Sequence, residues 1–327
     1  GNRVLDEKRQ RALSRYYLAA GVGGLAVGVH TTQFEIRDPE VNLFEPVLKM
    51  AAEEIEKFEK ENDKAIVKIS GACGPTEQAL RETKLAKKYG YDAVLLSPGG
   101  LDDLSEKEIL ERTEKVAEVL PVIGFYLQPS VGGRVFSYDY WRKFCEINNV
   151  VAIKSAPFNR YQTLEVVRAA ALSSRADEIA LYTGNDDNIV IDLLTEYRFE
   201  EGENVYKKGF DGGLLGHWAV WTQKAVEMFE ELKEVKKRDS IPAKYLTLAA
   251  EVTDANSAFF DTANNFEGVI AGIHEVLRRQ GIMEGIWCLD ENETLSPGQK
   301  EEIDRVYRMY PHLSDDQFIE ENLENWL

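Results

Sequence analysis

The stretch that decides the fold is Val150-Val-Ala-Ile-Lys-Ser-Ala156, an apolar run broken at one point by a lysine. A strand that is apolar without alternation is buried on both faces, the pattern of a parallel sheet covered by helices. Six further runs of this character flank it: GGLAVGV (23–29), AIVKISG (65–71), YDAVLLS (91–97), PVIGFYL (121–127), EIALYTG (178–184) and FDGGLLG (210–216). Amphipathic segments fill the intervals. Over residues 38–61, Phe44, Val47, Leu48, Ala51, Ile55 and Phe58 recur at helical spacing with Glu and Lys on the other side, so they are scaffold rather than a cofactor site. Seven strand–helix units joined by short links predict a (β/α)8 TIM barrel, an α/β fold, in preference to an open doubly wound sheet. One of the eight strands is missing. The chain opens on a helix with Leu13, Tyr16, Tyr17 and Ala20 on one face and Gly21 as its stop, which places the expected first strand upstream of Gly1. From about Trp218 to Leu327 the pattern is helical only, in four or five segments, two of them announced by the capping boxes Ser296-Pro-Gly-Gln299 and Ser314-Asp-Asp-Gln317. The expected division is a barrel over 1–239 and a C-terminal helical domain over 240–327.

Charge narrows the function. The 327 residues carry 39 Lys+Arg against 57 Asp+Glu, a formal net charge of −18, with 44% hydrophobic residues. So acidic a surface repels nucleic acid and anionic lipid, and no basic run makes a local exception. The longest apolar stretches, about seven residues, fall far short of the roughly 20 that span a bilayer. The opening GNRVLDEKRQRALSRYY has no apolar core of a secretory signal. Cys73, Cys145 and Cys288 are widely spaced, which fits a reducing, cytoplasmic setting and leaves the sequon at Asn292 idle.

In such a barrel the chemistry collects at the C-terminal ends of the strands. That rule selects His30, Thr31 and Thr32, Cys73, Tyr126, Lys154, Asn185 to Asn188, and His217 with Trp218. Lys154 carries the most information, because an ammonium pointing into a barrel loses its hydration. Bringing its pKa from about 10.4 toward 7 costs on the order of 4–5 kcal/mol, which desolvation supplies, and a neutral amine in a dry pocket suits Schiff-base formation with a ketone. The competing reading is a lysine that snorkels out or pairs with Asp186 or Asp187. Tyr126, one strand earlier, is placed to meet Lys154 across adjacent strand ends and shuttle a proton; the alternative is a core aromatic. Thr31 and Thr32 offer hydroxyls and backbone N–H groups to a carboxylate, or are ordinary loop threonines. A metal site on Asp186, Asp187 and His217 ranks last, because no two-histidine spacing supports it, and no metal is expected. Gly21-Val-Gly23-Gly24 precedes a strand instead of following one and is no dinucleotide fingerprint.

Together these residues resemble the dihydrodipicolinate synthase and N-acetylneuraminate lyase family of Schiff-base aldolases. GVHTTQF (28–34) stands where the family has Gly-Thr-Thr-Gly-Glu, FYLQPS (125–130) where it has Tyr-Asn-x-Pro-Ser, and VAIKSAP (151–157) around its lysine; YTGNDD (182–187) fits its Gly-Asp-Asp turn. The resemblance implies a barrel with a C-terminal helical domain and a homo-oligomer, commonly a tetramer. It further implies an imine between Lys154 and pyruvate or another 2-oxo acid, with Tyr126 relaying protons and Thr31 and Thr32 on the substrate carboxylate; Gly184, in the turn, and His217, at the end of the last strand, are expected beside the substrate. The imine is an electron sink through which the neighbouring carbon–carbon bond is made or broken, with an aldehyde as second substrate and no organic cofactor.

The departures narrow the substrate. Where the synthases carry a tyrosine pair, this chain has Ser97-Pro-Gly-Gly100; where they carry an arginine after Pro-Ser it has Val131, with Arg134 displaced in register. Gln33 and Phe34 end the threonine loop, and His30 replaces the glycine before it. His217 and Trp218 stand where the family presents small or apolar residues, which suggests a larger or aromatic partner, with His217 as an acid, a base or a loop tie. His274 and His312 fall in the helical appendage as structural residues. The reading is therefore a class I lyase of a 2-oxo acid. A dehydratase of a sugar-derived 2-oxo acid using the same imine and a non-catalytic 2-oxo acid binder are the alternatives. An anionic substrate enters this acidic protein through the local field of Lys154, the threonine loop and Arg134.

Overall fold

The computed structural model describes residues 4–327, so the strand expected upstream of residue 1 lies outside the described residues. In chain order the elements are α1 (Glu7–Ala19), β1 (Gly24–Val27), α2 (Phe44–Asn62), β2 (Val67–Ala72), α3 (Thr76–Lys88), β3 (Ala93–Leu96), α4 (Glu106–Ala117), β4 (Val122–Leu127), α5 (Tyr138–Glu146), β5 (Val150–Ala156), α6 (Arg160–Ala171), β6 (Ala180–Thr183) and α7 (Ile189–Leu194). They continue with β7 (Glu196–Glu201), β8 (Asn204–Gly209), β9 (Gly212–Gly213), α8 (Thr222–Lys236), α9 (Lys244–Phe259), α10 (Val269–Arg279), α11 (Gln299–Met309) and α12 (Asp316–Trp326). Seven strands join one sheet in the order β1-β2-β3-β4-β5-β6-β9, the succession of a (β/α) barrel, and each pair from β3 to β9 is parallel. All seven apolar runs of the sequence supply a strand.

By its contacts the chain forms two compact units. One holds Ser70–Leu215 and Glu231–Ala249. Its centre is β4, all six residues of which are buried, as its unbroken apolar run requires. On the helix side Phe136, Tyr140, Trp141 and Phe144 pack ring against ring. Gly124 lets α5 close on the strand, since a Cβ there would lie 2.5 Å from Phe144 Cζ. Caps set the helix starts: Ser105 and Glu108 form a reciprocal capping box on α4, Ser137 caps α5, and the Asn159 side chain accepts from the Tyr161 and Gln162 N–H groups on α6.

The other unit holds the residues up to Ile69, Gly216–Glu230 and Ala250–Leu327. Here α1 is locked to the chain's far end. The Tyr16 hydroxyl donates to Asp315 Oδ2 at 2.7 Å and accepts from the Thr222 N–H at 2.8 Å, while Gln280 donates to Asp315 Oδ1 at 2.8 Å. Arg15 donates to the Trp326 carbonyl at 2.6 Å, and the Tyr16 and Trp326 rings lie 5.6 Å apart.

Several boundaries differ from the sequence reading. The helix expected over 38–61 begins at Phe44, because residues 38–43 form a turn in which Asn42, at φ 48°, departs from helical backbone. Neither C-terminal capping box closes. The Ser296 hydroxyl donates to Asp261 instead of capping α11, although Gln299 Oε1 does accept from the Ser296 N–H. Asp315, not Ser314, precedes α12 as its N-cap. The last run shrinks to the two residues of β9, and ahead of it stands the antiparallel β7–β8 hairpin, which the sequence reading did not anticipate. Its strands alternate charged residues with half-buried Tyr197, Phe199 and Tyr206.

Candidate active site

Lys154 sits in β5 with only 9% of its surface exposed. Its Cα partners are Phe125 on β4 and Tyr182 on β6, and aligned residues of parallel strands project from the same face. The Phe125 ring accordingly lies under the ammonium, its centroid 4.5 Å from Nζ. Gly184 makes room for the lysine stem, since a Cβ there would lie 2.8 Å from Lys154 Cε and 2.7 Å from Ala156 Cβ. Burial pushes the Lys154 pKa down to about 8, against the opposing pull of the Asp186 carboxylate. Both readings of this lysine thus have a physical counterpart, and desolvation outweighs the carboxylate.

Tyr126 is not brought together with Lys154. Its Cα partner is Ser155, one register position on, so the two leave the sheet on the face opposite the lysine. Tyr126 packs against Trp141 at 5.1 Å and Phe136 at 6.0 Å between ring centroids, and its buried hydroxyl makes no hydrogen bond of ordinary geometry among the described residues. Burial pushes its pKa up to about 12, with the Phe136 backbone N–H close enough to temper the rise.

After β6 the turn is rigid. Asp192 is wholly buried and accepts from Arg160 at 2.5 Å, Thr183 at 2.7 Å, and Asn185 and Asn188 at 3.0 Å each. Asn185 in turn accepts from the Phe158 N–H at 3.0 Å, tying the loop after β5 to the loop after β6. Loops after β3 and β4 are tied by Arg134, whose guanidinium donates to the Leu104 carbonyl at 2.7 Å and lies over the Phe136 ring. Arg134 is therefore a loop clamp. Ser97 serves similarly: its hydroxyl accepts from the Gly99 N–H and its carbonyl from buried Arg112. Among the described residues no three His, Cys, Asp or Glu side chains converge as metal donors.

The remaining candidates belong to the other unit. Thr31 and Thr32 lie half-buried in the 3-10 turn His30–Thr32, where Thr32 Oγ1 accepts from the Gly28 N–H at 3.2 Å. Gly28 has φ +75° and no space for a side chain, because a Cβ would lie 2.8 Å from Phe44 Cε2. Gln33, at φ 65°, ends the turn and accepts from the Leu289 N–H through Oε1 at 2.6 Å. His217 is 3% exposed, faces Trp221 and Phe259, and donates from Nδ1 to Asn256 Oδ1. Burial pushes its pKa down to about 4, so the ring is neutral at physiological pH. His274 is buried in α10, and His312 lies in a 3-10 turn beside Glu251 at 3.0 Å.

The sequence reading did not single out Asp192, Asn256, Phe125 or Tyr182. For Tyr182 a signal existed: counting back two residues from Gly184 puts it on Gly184's face of the strand.

The dihydrodipicolinate synthetase family model matches residues 2–252. Two 4-hydroxy-tetrahydrodipicolinate synthases are similar in sequence. That of Clostridium novyi (strain NT) is 33% identical over 130 residues, 39% of this chain and 42% of that protein. That of Clostridium perfringens (strain 13 / Type A) is 29% identical over 175 residues, 50% and 58% respectively. The chain thus spans about half the length of these relatives. In structure, the Acinetobacter baumannii dihydrodipicolinate synthase, chloride-inhibited and complexed with pyruvate, superposes with a TM-score of 0.72 over 93% of this chain and 92% of that one, at 19% identity. That likeness shows the TIM-barrel fold. With the family model running from the first helix into α9, the chain belongs to the dihydrodipicolinate synthetase family.

Proposed function

We propose that the protein is a class I lyase that forms an imine between Lys154 and pyruvate or another 2-oxo acid. The observation that carries this is the buried lysine with its pKa near 8, seated over Phe125 in the space left by Gly184. At pH 7.5 such a group is roughly one-quarter neutral, against about 0.1% for an ordinary lysine, so the nucleophile is present without an external base. The A. baumannii protein, of the same fold, is complexed with pyruvate. Lys154 Nζ attacks the ketone carbon, water leaves, and the imine withdraws electrons from the adjacent carbon so that an enamine forms and adds to an aldehyde. Thr31 and Thr32 offer hydroxyl and backbone N–H groups to a carboxylate. His217, neutral and tied to Asn256, presents an uncharged ring. A cytoplasmic homo-oligomer, dimer or tetramer, with a C-terminal helical domain from about residue 240, completes the proposal.

Borohydride trapping tests it. Incubation with pyruvate and borohydride is expected to leave a reduced adduct on the peptide that contains Lys154, and none in Lys154→Ala. No adduct with any of several 2-oxo acids, or an equal yield in Lys154→Ala, overturns the proposal.

A further inference from the structure

Making an imine from an amine and a ketone moves both N–H protons onto the departing oxygen, so a proton-carrying group is needed on the lysine's own face of the sheet. On the β4 side that position is Phe125, which carries no proton, while Tyr126 lies on the opposite face with Ser155. On the β6 side it is Tyr182, the Cα partner of Lys154. Gly184 fixes the direction independently. A Cβ at Gly184 would touch the lysine stem, and strand alternation puts residues 182 and 184 on one face. Tyr182 is half-buried, and its partner on β9 is Gly212, which adds no side chain beside the ring. Asp211, the residue before β9, accepts through Oδ2 from the Leu181 N–H at 2.8 Å.

We propose that Tyr182 is the acid–base group of the Lys154 site, a role that rests on the imine reading above. As Nζ bonds to the ketone carbon, the carbonyl π pair moves to oxygen, which takes the Tyr182 proton. The phenolate then takes a proton from the new C–N⁺ nitrogen, giving the neutral carbinolamine and restoring the phenol. A second transfer from Tyr182 lets the hydroxyl leave as water while the nitrogen lone pair forms C=N, and the phenolate recovers the last N–H proton. Two N–H protons and the ketone oxygen become one water, and Tyr182 ends as it began. The same phenol can exchange protons with the methyl carbon of the pyruvate enamine.

Solvent deuterium exchange into the methyl group of pyruvate, followed by NMR, tests this without knowledge of the second substrate. In Tyr182→Phe the exchange rate is expected to fall about 100-fold and to lose its alkaline limb, while prolonged borohydride trapping still labels Lys154. A 3-fluorotyrosine at position 182, which lowers the phenol pKa with little change of shape, is expected to shift that limb to lower pH, and serves if the phenylalanine variant fails to fold. Unchanged rates and pH profiles in both variants, or a limb lost in Tyr126→Phe and kept in Tyr182→Phe, overturn the assignment. No Lys154 adduct in the unaltered protein overturns the imine reading itself, so the two failures are distinct.

Discussion

Replacing Lys154 by methionine should make the protein more stable at neutral pH while abolishing imine formation. The ammonium is held where its pKa is about 8 instead of 10.5, a difference of about 2.5 units. At 1.36 kcal/mol per unit the folded state carries a penalty of about 3 kcal/mol for the buried charge. Methionine has a stem of similar length for the space beside Gly184; it loses the contact of Nζ with the Phe125 ring, worth about 1 kcal/mol, while the lost pull of Asp186 is already counted in the lowered pKa. The expected net gain is about 1–3 kcal/mol. Its pH dependence identifies the cause. Because the folded pKa is the lower one, the unfolded chain binds the extra proton between pH 8 and 10.5, and the unaltered protein gains stability as pH rises through that window. Below pH 8 the penalty is complete. The advantage of Lys154→Met should therefore be constant below about pH 8 and shrink toward zero near 10.5. Urea denaturation of both proteins at stepped pH reads this directly, since every other titrating group is common to the two. A variant less stable by the same margin at all pH values, or an advantage that does not change with pH, refutes the argument.

Gly184→Ala should cost about 1–3 kcal/mol and slow adduct formation tenfold or more, because the new methyl would lie 2.7 Å from Ala156 Cβ and 2.8 Å from Lys154 Cε; native melting temperature and trapping rate in this variant would contradict the geometry. His217, with a folded pKa of about 4 against an ordinary 6.5, should make the protein lose up to about 3 kcal/mol as pH falls through that window, the unfolded chain there binding the extra proton. His217→Gln should flatten the loss in urea midpoints between pH 7 and 4, and parallel curves for the two proteins would count against it.

What could be read from residues alone followed from how the physics is written along the chain. Burial on both faces leaves a continuous apolar run, so β4 and β5 were plain, and a charge inside such a run, Lys154, stands out because solvation forbids it there without a reason. Register is different. Whether Phe125 or Tyr126 faces Lys154 turns on a one-residue offset set by hydrogen bonds between two strands 28 residues apart, which neither strand's composition records. Long-range partners are equally silent: Asn256 reaches His217 across 39 residues, and Asp261 diverts the Ser296 hydroxyl from the helix it resembles a cap for. The β7–β8 hairpin escaped because only one side of it touches protein, so its pattern is that of a charged surface segment.

The grip of α1 on α12 has a consequence for how the protein comes into being. Tyr16 and Arg15 find Asp315 and Trp326 only after about 300 further residues have been synthesised. At roughly 5–20 residues per second that interval is about 15–60 s. For that time the side of the first helix that carries Tyr16 lacks its partners, while α2 is already there to cover Leu18 and the strands around Lys154 are already free to form. The nascent chain therefore leaves Tyr16 without its C-terminal partners longest, whereas Leu18 on the same helix packs on Ile55 and Ile66 and is covered early, so the Tyr16 side of α1 is where a holding chaperone has the most to protect.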